Sequence, residues 1–210
     1  VGDSDYDPLF AFGYGLTYGD STTVARLPEG SDGSDAINTT RFFARGRAVP
    51  PWTIRLSSGG REVEVTTTRG VTPDGALKIV SADESAQEDI RTLTWSGERE
   101  ATFQLASDTL VDFSASEVAS MAIRMRVRLD SPPTAPVTTR LNSQGESKSQ
   151  SLYERLQRMS PGKWQNIYLP LSSFASSDGL KSVSAVMAIT TGGRLKISIS
   201  AVELTPRDSE

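Results

Sequence analysis

The chain has 210 residues, 22 basic and 26 acidic, a formal charge of −4, and neither histidine nor cysteine. That length suits one domain, or one domain with a tail, and a body of that size folds without disulfides. The missing His and Cys remove the Ser-His-Asp and Cys-His triads and the usual zinc and thiolate sites; the acidic balance gives no footprint for nucleic acid, and no apolar run approaches the ~18 residues of a membrane span.

Pro8 to Gly19 reads PLFAFGYGLTYG, with Phe10, Phe12, Tyr14, Leu16 and Tyr18 at every second position in a chain that is only 7% aromatic. Alternation makes this an extended segment with its rings mostly on one side. The Gly13-Tyr14-Gly15 triplet has no βαβ context after it, so it does not read as a phosphate loop. Residues 20–38 are rich in Ser, Gly, Asp and Thr and read as a linker. Asp32 and Asp35 within it lack the remaining ligands of a calcium loop.

From Thr39 onward, short β-rich runs alternate with turn signals. Strands are expected near 40–47, 52–57, 61–67, 76–81, 90–96, 101–106, 121–129, 137–142, 164–169, 184–191 and 195–204. Turns carry Ser58-Gly59-Gly60, Pro73-Asp74-Gly75, Ser96-Gly97, Pro132-Pro133, Ser160-Pro161-Gly162 and Gly192-Gly193. Only Leu152–Met159 and a turn at Ser172–Phe174 read as helical. Many strands with almost no helix predict an all-β chain, a β-sandwich of the jelly-roll kind.

Side chains alternate between the faces of a strand. Met121, Ile123, Met125, Val127 and Leu129 therefore oppose Arg124, Arg126 and Arg128. Val137, Thr139 and Leu141 oppose Thr138, Arg140 and Asn142, and Ile167 and Leu169 oppose Trp164, Asn166 and Tyr168. The apolar sides make the core. The other sides either form an ordinary solvated sheet or a glycan face, because sugar C–H faces stack on aromatic rings and sugar hydroxyls pair with Arg and Asn. The candidate glycan contacts are Trp164, Tyr168, Asn166, Arg126 and Arg140. Trp95 shares parity with Leu93 and is assigned to the core. Trp52, after Pro50-Pro51, reads equally as an exposed ring or as a plug at the sandwich end.

Residues 81–89, SADESAQED, concentrate Asp83, Glu84, Gln87, Glu88 and Asp89. Such a cluster suits a solvated loop first, and calcium or acid-base work only with partners that the spacing does not supply.

The PLFAFGYGLTYG block resembles the closing segment of the α/β sandwich domain in glycoside hydrolase family 3 enzymes, the β-glucosidases and exo-β-glucanases. Ala11 stands where that family usually has proline. The resemblance extends through Pro51-Trp52, Gln87-Glu88-Asp89, Trp95-Ser96-Gly97, Asp130-Ser131-Pro132 and the Trp164 to Phe174 segment. In that order they look like the C-terminal domain of the exo-1,3/1,4-β-glucanases, a galactose-binding-like jelly roll. Ser173 departs from the cysteine expected in many relatives.

That resemblance implies a piece of a longer polypeptide, so the lack of a signal peptide at its start carries no weight. Residues 1–19 would be a stub of the α/β domain, 20–38 the linker, 39–206 an accessory β-sandwich and 207–210 a tail. The catalytic Asp and Glu would lie upstream, making this piece non-catalytic. Its implied partners are the upstream catalytic domains and a β-glucan oligosaccharide, with Gln87, Glu88 and Asp89 as the candidate domain-contact loop. No cofactor is expected, apart from a single structural calcium whose ligands the sequence does not name. The implied location is periplasmic or extracellular. Three roles stay open: packing on the catalytic body, an independent carbohydrate-binding module, and, least supported, an enzyme in its own right. Phe10, Phe12, Tyr14 and Tyr18 are expected to dock on the sandwich or on a neighbouring molecule, because a bare apolar patch promotes aggregation.

Overall fold

The computed structural model describes residues 41–81, 90–145 and 147–206. The expectations for the ring-rich segment 8–19, the linker 20–38 and Gln87, Glu88 and Asp89 lie outside the described residues.

The described chain forms fourteen strands: β1 (Arg41–Ala44), β2 (Arg47–Ala48), β3 (Trp52–Ser58), β4 (Arg61–Val65), β5 (Arg69–Val71), β6 (Leu77–Ser81), β7 (Arg91–Ser96), β8 (Ala101–Val111), β9 (Ala122–Ser131), β10 (Val137–Ser143), β11 (Ser149–Ser151), β12 (Trp164–Pro170), β13 (Val183–Thr191) and β14 (Arg194–Thr205). Two short helices, α1 (Ser116–Ala119) and α2 (Tyr153–Arg158), and 3-10 turns at Leu171–Ser173 and Gly179–Ser182 complete it.

The strands build two antiparallel sheets in a jelly-roll sandwich. One has eight strands in the order β12-β9-β14-β7-β6-β5, with β1 on β14 and β2 on β1. The other has six, ordered β11-β10-β13-β8-β3-β4. The central strand β14 pairs β9 along one edge, and pairs β7 and then β1 along the other. Its inward residues are Leu195, Ile197 and Ile199, then Val202 and Leu204. The register shift between Ile199 and Ala201 changes the parity between those two sets, as a β-bulge does. These residues and Ile123, Met125, Val127 and Leu129 of β9 join Phe103, Leu105, Met187 and Ile189 of the other sheet in one core.

Trp95 is buried, as its parity predicts, and its indole N–H donates to the Ala101 carbonyl at 3.0 Å. Trp52 is a plug: it is 4% exposed, stacked on Phe113 (6.2 Å, 11°) and edge-on to Phe42 (5.4 Å, 80°).

The strand expected at 40–47 is instead two strands joined at Arg45-Gly46. Both residues have positive φ, 51° and 68°, the backbone a two-residue hairpin requires. β5 and β11 carry no apolar alternation, so the sequence does not announce them. β8 outruns its predicted end because Asp108 to Leu110, although exposed, still continue the strand.

Three carboxylates secure connections around this frame. Ser58 Oγ donates to Asp74 Oδ2 at 2.8 Å and the Ala76 N–H to its Oδ1 at 3.2 Å, holding that carboxyl below the usual range. Ser114 does the same for Asp112, and the Lys181 ammonium, 2.7 Å away, for Asp178. A depressed carboxyl contributes stability that is complete above its unfolded value and is lost as pH falls through its folded value. The thermal midpoint should therefore hold down to about pH 4 and then fall. The triple variant D74N/D112N/D178N should show a shallower acid slope; equal slopes would refute this account.

Candidate functional site

The antiparallel register of β12 on β9 sets the outer face of the eight-stranded sheet. Trp164 lies opposite Arg128, Asn166 opposite Arg126, and Tyr168 opposite Arg124. The guanidinium carbons of Arg126 and Arg128 lie over the Trp164 ring, 5.8 and 5.4 Å from a ring centroid. That is cation–π distance. Trp164 and Tyr168 are half-buried, whereas Asn166 and Arg126 are exposed. The Tyr168 carbonyl accepts a hydrogen bond from Arg155 of α2 at 2.8 Å. So four of the five predicted glycan contacts, Trp164, Asn166, Tyr168 and Arg126, do share one patch.

Beside this patch the face is tied down. Arg128 Nε donates to Asp130 Oδ1 at 2.8 Å, and Ser198 Oγ donates to Asp130 Oδ2 at 2.7 Å. The buried Ser198 hydroxyl also sits 2.9 Å from that of Thr92. Arg124 pairs with the buried carboxylate of Glu203, which Arg41 approaches at 4.0 Å.

Arg140 is not in the patch. It belongs to β10, whose neighbours are β11 and β13, so it stands on the outer face of the six-stranded sheet. Parity reports which side of its own strand a residue takes. It does not report which sheet the strand joins, and β10 crosses to the opposite sheet between β9 and β12.

Around Arg140 the six-stranded sheet presents a face that sequence reasoning did not assemble. One row across the strands reads Ser149, Arg140, Ala188, Gln104, Arg55, Glu64. The next reads Ser151, Thr138, Thr190, Thr102, Ser57, Glu62. Arg140 Nε donates to Asn142 Oδ1 at 2.6 Å, and Asn142 Nδ2 donates to Gln104 Oε1 at 3.2 Å. The Thr102 and Thr190 hydroxyls are 2.8 Å apart. Arg55 pairs with Asp108 and, at 3.3 Å, with Glu62. The Asp108 carboxylate first, with Glu62 and Glu64 adding, pushes the Arg55 guanidinium above its ordinary value. The only signal in sequence was polar parity in 53–57 and 102–106, which is also what a plain solvated strand shows.

At one end of the sandwich a cleft of about 620 Å³ opens beside Trp52, lined also by Arg47, Glu64, Arg91 and Thr66 to Thr68. Arg91 is buried and donates to the carbonyls of Gly46 (2.6 Å) and Thr68 (2.9 Å). Among the described residues no three Asp, Glu, His or Cys side chains gather as a cation site.

Residues 50–204 match the family described as galactose-binding domain-like. No curated protein matches the chain. Among solved structures, the extra C-terminal domain of the exo-1,3/1,4-β-glucanase from a Pseudoalteromonas species superposes with a TM-score of 0.68 at 20% identity, over 81% of this chain and 95% of that one. The exo-1,3/1,4-β-glucanase itself matches over 100% of this chain at 26% identity and a TM-score of 0.69; this chain spans 25% of that enzyme's length. A family 30 carbohydrate-binding module of a Clostridium thermocellum cellulosomal cellulase shares the fold, with a TM-score of 0.52 at 9% identity over 81% of this chain and 99% of the module.

Proposed function

The chain belongs to the galactose-binding domain-like family that residues 50–204 match, and from that premise we propose that it is the non-catalytic accessory domain of an exo-acting β-glucan hydrolase. The observation that carries this reading is the likeness to the exo-1,3/1,4-β-glucanase, of which this fold makes up about a quarter. The PLFAFGYGLTYG block supports placing the longer enzyme in glycoside hydrolase family 3, whose catalytic Asp and Glu would sit upstream of this chain. Polymeric glucans do not cross membranes, so the working location is periplasmic or extracellular.

Within this reading the domain packs on the catalytic body through the Trp164 patch. The patch combines Trp164 and Tyr168 with Arg126 and Arg128, the residue types that dominate protein interfaces. Its main ring is already covered by its own guanidinium groups, which leaves less of its face for a sugar to stack on. That favours packing over an independent module binding through Trp164, Tyr168, Asn166 and Arg126. No cofactor enters this role; a calcium ion, if bound, would have a structural part only.

The test is removal of residues 41–206 from the longer enzyme. Its melting temperature should fall by several degrees, and turnover of polymeric β-glucan should fall more than that of an aryl β-glucoside. Unchanged stability and turnover would defeat the accessory reading. Trp164→Ala in the longer enzyme should reproduce part of the stability loss while leaving the 210-residue chain folded by circular dichroism.

A further inference from the structure

We propose that the outer face of the eight-stranded sheet is one continuous docking surface for a carboxylate-rich protein partner, the catalytic body preceding this chain; the identity of that body rests on the accessory reading above, whereas the chemistry demanded of it rests on the face itself.

The strands of this sheet carry only two carboxylates, Asp130 and Glu203, and Arg128, Arg124 and Arg41 already engage them. Five further cations on the same face, Arg69, Lys78, Arg126, Arg194 and Lys196, are exposed and have no ion pair among the described residues. The chain as a whole is acidic, so this positive charge is a property of the face. The six-stranded sheet has the opposite balance, with Glu62, Glu64 and Asp108 beside Arg55 and Arg140. One row across the eight-stranded sheet reads Val71, Lys78, Thr94, Lys196, Ser131. The next reads Arg69, Val80, Thr92, Ser198, Arg128, Trp164. Trp164 and Tyr168 stand at one edge of the face. Val71, 50% exposed, and the half-buried Val80 stand near the other. Five strand spacings of ~4.8 Å set the edges about 24 Å apart, the scale of a standard protein interface.

Apolar side chains at both edges with cations between them fit a protein better than a polyanion, which needs the charge alone. Lysines in the middle of an interface are costly to bury unless an opposite charge meets them. Lys196 and Lys78 lie two strands apart, on either side of Thr94. The partner therefore has to offer carboxylates about 10 Å apart opposite that row. The described chain enters the sandwich at Arg41 of β1, which pairs β14 in this same sheet. A preceding body is thus tethered at this sheet and not at the six-stranded one, which raises its local concentration here. Docking of this kind weakens as salt rises, because exposed charges are screened within ~3 Å at about 1 M.

The experiment uses the longer enzyme. A water-soluble carbodiimide joins a lysine amine to a carboxylate only where the two are in contact. It should link Lys78 and Lys196 to Asp or Glu residues that precede this chain, and the links should be lost in about 1 M NaCl. The double variant K78E/K196E should lower the melting temperature of the longer enzyme by a few degrees at low salt, and the difference should close in about 1 M NaCl. K78R/K196R should melt as wild type. Lys148→Glu, beside β11 of the six-stranded sheet, should also leave the melting temperature unchanged. In the 210-residue chain alone K78E/K196E should have little effect, because both side chains lie at the surface. If it destabilises that chain too, the cross-links decide. No cross-links from Lys78 and Lys196, or cross-links only to carboxylates within this chain or a second copy of it, overturn the proposal. So does a K78E/K196E enzyme as stable as wild type at low salt. If deleting residues 41–206 destabilises the longer enzyme while K78E/K196E does not, the acidic partner surface falls and the packing reading stands. If the deletion itself changes nothing, the accessory reading falls.

Discussion

Replacing Trp52 by alanine should destabilise the domain by about 3–5 kcal/mol, the range for deleting a buried Trp or Phe. Trp52 closes the end of the sandwich with Phe42 of β1 and Phe113, which follows β8. All three rings are 5% exposed or less. Phe42 and Phe113 are themselves in contact at 6.0 Å, so the truncation leaves a gap bounded by two rings that cannot both move into it. Trp52 also ties β3 to Ser107 of β8, where the six-stranded sheet reaches the rim. At this domain size each kcal/mol moves the melting temperature by about 2–4 °C, so a drop on the order of 10 °C or more is expected by calorimetry. Trp52→Phe keeps a ring in the stack and should lose much less. A Trp52→Ala protein melting within a couple of degrees of wild type would show that the trio collapses freely and that Trp52 is a rim residue.

Gly193→Ala should cost about 1–3 kcal/mol through overpacking, although it adds only a methyl group. A Cβ at Gly193 would sit 2.5 Å from the Ala135 Cβ, 2.6 Å from its backbone nitrogen and 3.0 Å from its Cα. Carbon–carbon contacts are optimal near 3.5–4.0 Å, and a backbone nitrogen cannot swing aside. The hairpin between β13 and β14 must then separate from the connection that leads from β9 to β10. That separation strains two hydrogen bonds: Thr134 N–H to the Arg194 carbonyl at 3.0 Å, and Arg194 N–H to Thr134 Oγ1 at 2.8 Å. The neighbouring Gly192 is the control. A Cβ there meets nothing closer than 3.9 Å, so Gly192→Ala should be close to neutral. Adding Ala135→Gly to Gly193→Ala should recover part of the loss, because it removes the Cβ contact but not the nitrogen one. Urea midpoints for wild type, the two single variants and the double variant form a double-mutant cycle. A coupling energy near zero, or an unstable Gly192→Ala, would show that the close approach to Ala135 is not the cause.

The five side chains grouped by strand parity are distributed over this molecule differently from the way the strand pattern suggests. Trp164, Asn166, Tyr168 and Arg126 do form one patch, but Arg126 and Arg128 already occupy the Trp164 ring. Arg140, grouped with them by parity, stands with Gln104 and Arg55 on the other side of the sandwich. Gln104 and Arg55 lie in stretches where polar residues simply alternate with core residues. Nothing local there shows which sheet the strand joins or which side chains become its neighbours.

The sequence by itself determined that this chain is an all-β sandwich, where most of its strands lie and which side of each faces the core. Those properties are local. A strand reverses its side chains every residue, so a run such as Ile123 to Leu129 declares its buried side without reference to any partner. The same runs could not tell which strands are neighbours. Strands β9, β10 and β12 look alike in parity, yet β9 and β12 pair directly while β10 joins the opposite sheet. Pairing is decided by which arrangement lets all the apolar sides meet in one core and all backbone groups find partners, a condition on the whole chain. Trp52 shows the same division. Its parity with Ile54 and Leu56 already points inward, but at the first position of a strand parity does not say whether anything covers the ring, and only the closing of the sandwich over Phe42 and Phe113 makes it a core residue.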